Sequence, residues 1–273
     1  MLWLIPALTA YALATAGFVA GRAGTDGWLA RAAAKLLAAG AALQSIDLIA
    51  RGLQAGNIPV TNFAQSLIFL AWLTALAALF LIVRYRMPVV GAFAGPLVFI
   101  ALGAAVALMR PGRIPMPVAL NSAWLPIHVT LALLGYALFV MAAGVSVVYL
   151  VYERRLKAKR SLIGGDERGP SLEKLDRINY QLLGIGFLML SLAIVTGAIW
   201  ADATWGHYWS WEPRETWSLA IWILYAALLE SRLTVGWRGR RAAALTIAVF
   251  TVLVGSFLGV SLIAPGKHGG TFG

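Results

Sequence analysis

Eight stretches of roughly 20 mainly apolar residues follow one another along the chain, and they constrain its fold more than any other feature. A backbone in lipid must satisfy its own hydrogen bonds, so stretches of this length form transmembrane helices. The predicted helices lie near residues 2–20, 30–50, 60–83, 89–108, 127–152, 178–200, 217–233 and 242–264. The sequence therefore predicts an all-α, polytopic integral membrane protein, with residues 1–273 in a single membrane domain.

Composition agrees with lipid as the surrounding solvent. Apolar residues make up 60% of the chain and charged residues only 12%, against about 25% charged in ordinary soluble domains. The second predicted helix has the weakest pattern, because charged residues interrupt or border it. Two of these, Asp47 and Arg51, are four residues apart, and pairing between them is the simplest interpretation.

Basic residues in the connections between helices predict the orientation of the protein. Of 22 Lys and Arg residues, 17 fall on one predicted side of the membrane and 5 on the other. The positive-inside rule then places both termini and the segment 201–217 outside the cytoplasm, and it makes residues 153–177 a cytoplasmic connector. Because the net charge of +11 is spread over loops and not over one face, the sequence predicts a lipid bilayer and no nucleic acid as partner.

The segment WGHYWSWEPRETW at 205–217 concentrates aromatic side chains as no other part of the chain does. It contains Trp205, Tyr208, Trp209, Trp211 and Trp217. One interpretation is an interfacial belt, since Trp and Tyr settle at the headgroup level of membranes. A belt, however, scatters single aromatics over many helix ends, and it has no need for Gly206, Glu212, Pro213 and Arg214 among them.

All three histidines fall on the predicted extracytoplasmic side: His128 starts the fifth helix, His207 lies in the aromatic segment and His268 follows the last helix. With no cysteine in the chain, metal ligands must come from histidines or carboxylates. A porphyrin needs apolar faces, axial nitrogen donors and cations for its propionates. The sequence therefore predicts a haem site in which His128 and His268 are axial ligands, the tryptophans form a platform, and Arg214 pairs with a propionate.

The segment WGHYWSWEPRETWSL resembles the tryptophan-rich signature WGxxWxWDxRxT of haem-handling proteins of cytochrome c biogenesis. The resemblance is closest to the CcsA/ResC family of system II, which is related to CcmC. It extends to PVTNFAQSLIFLAW at 59–72, WLPIHVTLALLGYA at 124–137 and APGKHGGTFG at 264–273. It implies a protein that receives haem b (iron protoporphyrin IX) from the inner side and positions it, between histidines matching His128 and His268, for attachment to apocytochrome c.

The resemblance also implies partners and a location. The CxxCH segment of apocytochrome c would supply the cysteines that this chain lacks, and a CcsB/ResB-type membrane protein would form the other half of a cytochrome c synthase. The membrane would be the cell inner or plasma membrane, or a thylakoid-type membrane. One alternative is a haem transporter or haem-linked regulatory protein without synthase activity, and another is a membrane subunit with an aromatic belt and no cofactor.

The sequence departs from the family pattern at three positions. Glu212 replaces the usual Asp, and Arg214 replaces a frequent Lys, so both charges are kept. Glu230 in LLESR stands where relatives commonly read LHTR, so a haem ligand within the membrane is missing there. Pairing with Arg232 is the simplest interpretation of Glu230, and contact with haem or a partner is the alternative.

Three further polar residues are weaker candidates for the site. Asn62 and Gln65 stand at the start of the third predicted helix, where such residues generally cap the helix or bond to a neighbouring one. The resemblance implies that Asn62 and Gln65 lie near the haem path. His207 occupies a variable position of the signature, and a solvated loop residue is the simpler interpretation of it.

Overall fold

The computed structural model describes residues 2–21, 27–56, 58–109, 122–158 and 170–263. This part of the chain contains only helices and no β-strand, so the predicted all-α fold is confirmed. The helices are α1 Leu4–Ala20, α2 Trp28–Ala55, α3 Phe63–Tyr85, α4 Gly91–Leu108, α5 Trp124–Lys157, α6 Leu172–Trp205, α7 Pro213–Leu233 and α8 Arg240–Ile263, with a short 3-10 helix at Pro88–Val90.

Each predicted span overlaps one observed α-helix, with ends that differ by a few residues. Six helices in the described part are long and apolar enough to cross a membrane: α2 to α6 and α8. The apolar α1 has 17 residues, and α7 carries charged residues near both ends. The chain is thus a multi-pass membrane protein.

The helices on either side of the connector and of the aromatic segment extend into these two predicted loops. At the connector, α5 continues to Lys157 and α6 already starts at Leu172. At the aromatic segment, α6 continues to Trp205 and α7 starts at Pro213, so only residues 206–212 lie between them. We call the two ends of the bundle the connector end and the loop end accordingly.

The pair of α5 and α6 forms the most extensive helix contact of the fold. A Cβ added to Gly135 on α5 would lie 3.2 Å from the carbonyl oxygen of Gly186 and 3.3 Å from the amide nitrogen of Leu190, both on α6. Helices in lipid associate through such close backbone approach at small residues. The separation of α5 and α6 is therefore set by backbone atoms.

Polar side chains within α2 are satisfied locally or by neighbouring helices. The predicted pair of Asp47 and Arg51 is confirmed, with 2.5 Å between carboxylate and guanidinium. Gln44 is fully buried; its side-chain oxygen accepts from the hydroxyl of Tyr11 at 2.6 Å, and its amide donates to the carbonyl of Ile68 at 2.7 Å. These bonds explain why an interrupted apolar pattern still forms a helix.

A buried polar network joins α6, α7 and α8 at the connector end. Arg232 donates to the carboxylate of Asp176 at 2.8 Å and to the side-chain oxygen of Asn179 at 3.0 Å. The other carboxylate oxygen of Asp176 accepts from the backbone N–H of Gly239, ahead of α8. The interpretation of Glu230 as the partner of Arg232 is wrong, because Arg232 turns to α6 while Glu230 is exposed.

Replacing Arg232 with methionine should lower the free energy of unfolding by roughly 2–4 kcal/mol, because Asp176 and Asn179 would lose a charged donor where few other partners exist. Thermal unfolding of the detergent-solubilised full chain, followed by circular dichroism, measures the change. Arg238→Met is the matched control, since Arg238 is exposed at the same end and should contribute less than about 0.5 kcal/mol. Equal losses in the two variants would contradict the structural role of Arg232.

Candidate functional site

A cavity opens at the loop end, where the starts of α3, α5 and α7 meet the ends of α6 and α8. Its volume is about 220 Å³. The apolar part of its wall includes Leu125, Val129, Leu133, Leu190, Ile194, Ile221 and Phe257. The polar and aromatic part includes His128, Tyr136, Trp200, Trp205, Tyr208, Trp209, Arg214, Glu215 and Trp217. One imidazole, one guanidinium and several large rings therefore share a mainly apolar cavity.

The second turn of α5 holds His128 against α6. The Nδ1 atom of His128 lies 2.7 Å from the carbonyl oxygen of Ala193. A carbonyl oxygen can only accept, so Nδ1 carries the proton, and in the neutral ring the lone pair is on Nε2. The ring also lies nearly parallel to the indole of Trp200, with 6.3 Å between centroids and 15° between planes. These contacts fix both the position and the tautomer of the imidazole.

The loop between α6 and α7 is ordered by its own backbone and by one carboxylate. Gly206 ends α6 with φ 77°, a left-handed conformation that glycine adopts readily. Glu212 and Glu215 form a capping box at the start of α7. The Glu215 carboxylate also accepts from the backbone N–H of Ser210 at 2.7 Å. Both glutamates therefore order the loop.

The predicted tryptophan platform divides into two parts. Trp205, Trp209 and Trp217 line the cavity together with Tyr208. Trp211 does not line it: its backbone is left-handed, with φ 58°, and 70% of its surface is exposed. Its indole packs edge-on against Trp209, with 5.7 Å between centroids. The indole N–H of Trp209 is buried and has no hydrogen-bond partner among the described residues.

Arg214 lines the cavity from the first turn of α7 and is only partly exposed. Burial lowers the pKa of its guanidinium, while the nearby Tyr136 and Glu212 act in the opposite direction. An arginine side chain nevertheless stays protonated in proteins. The cavity therefore contains one permanent positive charge, as expected for a partner of an anionic group.

The remaining candidates lie beside the cavity or away from it. Asn62 caps α3 by accepting from the backbone N–H of Gln65, and Gln65 accepts from Thr61, so the predicted capping role is confirmed. Their neighbours on α3, Phe63 and Ser66, line the cavity. His207 is partly buried but does not line the cavity.

Of the last two candidates, only Glu230 belongs to the part of the chain that the structure describes, and it does not line the cavity. Glu230 is at the connector end, on the far side of the bundle. His268 lies outside the described residues.

Sequence analysis missed several residues of the cavity. Tyr136 lies two helical turns from His128 on α5, and Ala193, Gly197 and Ala201 repeat every four residues on α6. The sequence identifies Trp200 only as the end of a predicted helix, but its indole stacks on the ring of His128. Tyr136 could have been found, because eight residues place it on the same face of α5 as His128. No sequence signal connects α6 to His128.

Replacing Glu215 with alanine should loosen residues 206–212, because the backbone N–H groups of Ser210 and Glu212 lose their carboxylate acceptor. Loss of a helix cap costs about 1 kcal/mol, so amide exchange there should rise about fivefold. Hydrogen–deuterium exchange with mass spectrometry measures this. Glu230→Ala, at the opposite end of the same helix, is the control and should leave the loop unchanged; an equal rise in both would contradict the capping role.

Comparison with known proteins places the chain in a family. Residues 60–268 match the family model described as cytochrome c assembly protein. The cytochrome c biogenesis protein CcsA of Prochlorococcus marinus (strain NATL2A) is 36% identical over 250 residues, which cover 81% of this chain and 79% of that protein. CcsA of Synechococcus sp. (strain CC9605) is 36% identical over 259 residues, with coverages of 85% and 84%.

A solved structure shows the same fold at lower identity. The cytochrome c haem lyase CcmF superposes with a TM-score of 0.70 at 18% sequence identity. The match covers 94% of this chain, which spans only 46% of that longer protein. By its family match and its CcsA relatives, the chain belongs to the cytochrome c assembly protein family.

Proposed function

We propose that the protein binds haem b, iron protoporphyrin IX, in the loop-end cavity and presents it for covalent attachment to apocytochrome c. The observation that carries this proposal is the position of His128, which lines the cavity and donates its Nδ1 proton to the carbonyl of Ala193. Histidines that ligate metals generally donate their other ring N–H in this way, which fixes the tautomer and raises the basicity of the ligand nitrogen.

The wall of the cavity has the chemistry that a porphyrin requires. Its aliphatic side chains and indoles suit the apolar faces of the macrocycle. Arg214 supplies a cation for a propionate, and the buried N–H of Trp209 is a donor whose acceptor a ligand could provide. The donor set therefore fits haem, with His128 as an axial ligand.

The size of the cavity favours a role in which the protein transfers its ligand to a second protein. Pockets that enclose a whole small molecule typically measure about 300–1,000 Å³. At about 220 Å³, this cavity would enclose only part of a porphyrin. Tyr208 and Trp217, which line it, are 60% and 46% exposed. A partly enclosed macrocycle keeps an edge accessible to a second protein, which attachment to a peptide requires.

The second axial ligand in this proposal is His268. Helix α8 ends at Ile263, and its residues Ser256 and Phe257 line the cavity. His268 is five positions after Ile263, and five residues span at most about 18 Å. The course of α8 therefore supports His268 as the second residue that would hold the iron.

We further propose that the cavity faces the extracytoplasmic side of a cell inner, plasma or thylakoid-type membrane. The support is the excess of Lys and Arg in connections at the other end of the bundle. The protein would act with a CcsB/ResB-type membrane partner as a cytochrome c synthase, on the CxxCH segment of apocytochrome c. The curated relatives are named for cytochrome c biogenesis, which favours this role over haem transport or regulation without attachment.

The task of this chain in the reaction is positioning. Each cysteine of CxxCH adds its sulfur and its proton across one vinyl C=C bond of haem, so a C–S bond forms and no group leaves. No acid–base pair is needed for such an addition. The rate is raised by holding the reacting groups in place. His128 would hold the iron, Arg214 a propionate, and the cavity-lining indoles the ring plane, while Glu215 keeps the loop ordered.

Replacing His128 with glycine should weaken haem binding at least about tenfold, because an iron ligand is lost. Absorption spectra of the purified protein should show a smaller and shifted Soret band, and added imidazole should restore it by entering the space left by the side chain. His268→Gly should have the same effects on haem binding and on the Soret band. His207→Gly is the matched control, since His207 does not line the cavity.

Undiminished haem with an unchanged spectrum in both His128→Gly and His268→Gly would refute the proposed coordination. Co-expression with a CcsB-type partner and a CxxCH reporter adds the functional readout. Attachment to the reporter by the wild-type protein supports a synthase component, while bound haem without any attachment supports the transporter or regulatory alternative.

Arg214→Met should weaken binding of haem by roughly 10- to 100-fold, since a hydrogen bond to a charged group contributes about 1.5–3 kcal/mol. Titration of the purified protein with haem measures it. Haem dimethyl ester, which has no free propionate, should bind the wild-type and Arg214→Met proteins equally. Arg214→Lys, which keeps the charge, should lose less affinity for haem than Arg214→Met. A loss of the same size for haem and its ester would show that Arg214 has no propionate partner.

A further inference from the structure

We infer that Gly197 is a positioning residue for His128, and that the α6 backbone from Ala193 to Gly197 forms an imidazole socket that selects the nitrogen available to iron. This inference rests on the proposed function, because it concerns the ligand role of His128. It assigns a role to a residue that has no side chain of its own and that the sequence analysis did not identify.

The socket is defined by two contacts one helical turn apart. The carbonyl oxygen of Ala193 accepts from Nδ1 of His128 at 2.7 Å. A Cβ added to Gly197 would lie 2.7 Å from Nδ1 and 2.7 Å from Cε1 of the same ring. Real Cβ atoms essentially never approach other heavy atoms that closely. The ring edge that bonds to Ala193 therefore occupies the space that any other residue at 197 would fill.

The helices have little freedom to move apart and relieve such a clash. The backbones of α5 and α6 already touch further along the same interface, where Gly135 approaches Gly186 and Leu190. Closely packed interiors transmit strain more readily than they expand. The imidazole is a rigid ring next to the backbone, and the indole of Trp200 stacks near it. A methyl group at 197 should therefore displace the ring of His128 and break its bond to Ala193.

Displacement of the ring changes its chemistry as well as its position. While Nδ1 donates to Ala193, the neutral imidazole keeps its lone pair on Nε2, so Nε2 is the nitrogen that can bind iron. Without the acceptor the tautomer is no longer fixed, and a ligand of lower basicity results. Glycine at 197 therefore serves both the placement of His128 and its readiness to coordinate.

Gly197→Ala tests the inference, with Gly184→Ala as a matched control on the same helix. A Cβ at Gly184 meets no atom of the described residues within 4 Å, and both changes bring the same gain in helix propensity. We expect Gly184→Ala to match the wild type in haem content and spectrum. Gly197→Ala should bind haem about tenfold more weakly, with the shifted Soret band of His128→Gly.

The double variant His128→Gly/Gly197→Ala shows whether the two residues act together. If Gly197 acts through His128, the double variant binds haem no more weakly than His128→Gly alone. Additive losses would overturn the inference, and so would a wild-type spectrum in Gly197→Ala. A wild-type spectrum in His128→Gly would instead refute the proposed ligand, which is a separate failure.

A second measurement needs neither haem nor a folded Gly197→Ala protein. The full chain has only three histidines, so ¹⁵N-histidine labelling gives few signals, and the signal missing from His128→Gly assigns His128. In the wild-type protein without haem, nuclear magnetic resonance should show a protonated Nδ1 and an unprotonated Nε2 for this ring. The opposite tautomer, or a mixture of both, would overturn the inference whatever the haem titrations show.

Discussion

The close contact of α5 and α6 is the constraint on which the loop end depends. In a bilayer, apolar side chains gain little free energy by exchanging contacts with lipid for contacts with each other. Small residues that let backbones touch therefore decide how near two helices lie. Gly135 and Gly186 bring the two backbones together in the middle of the interface. At its loop end the same spacing leaves room for one imidazole ring between the helices, and His128 fills it.

The two ends of the bundle are built on opposite principles. At the connector end, Arg232, Asp176 and Asn179 satisfy one another in a buried network that ties α7 and α8 to α6. At the loop end, the same helices separate around a cavity lined by an imidazole, a guanidinium and several indoles. A rigid far end lets the near end keep this cavity open, which the proposed haem site requires.

The sequence predicts structure correctly where the bilayer or local geometry determines the outcome. Spans of about 20 apolar residues, the Asn62 cap and the pair of Asp47 and Arg51 depend on neighbours in the chain, and all are observed. Side-chain chemistry also identified His128 as a cavity residue. The partner of Arg232 and the socket at Gly197 could not be predicted, because each depends on a residue more than 50 positions away.

The conformation of the aromatic loop suits the role of a partly exposed binding surface that we propose for it. Exposed loops usually lose much conformational freedom when they bind, and this weakens affinity. Here Gly206, Trp211 and the carboxylate of Glu215 fix the backbone before any ligand arrives. The left-handed backbone at Trp211 turns its indole away from the cavity, while Trp209 on its flank lines the cavity wall. The loop therefore has two aromatic faces, one toward the cavity and one toward the surroundings, and a single ordered backbone holds both.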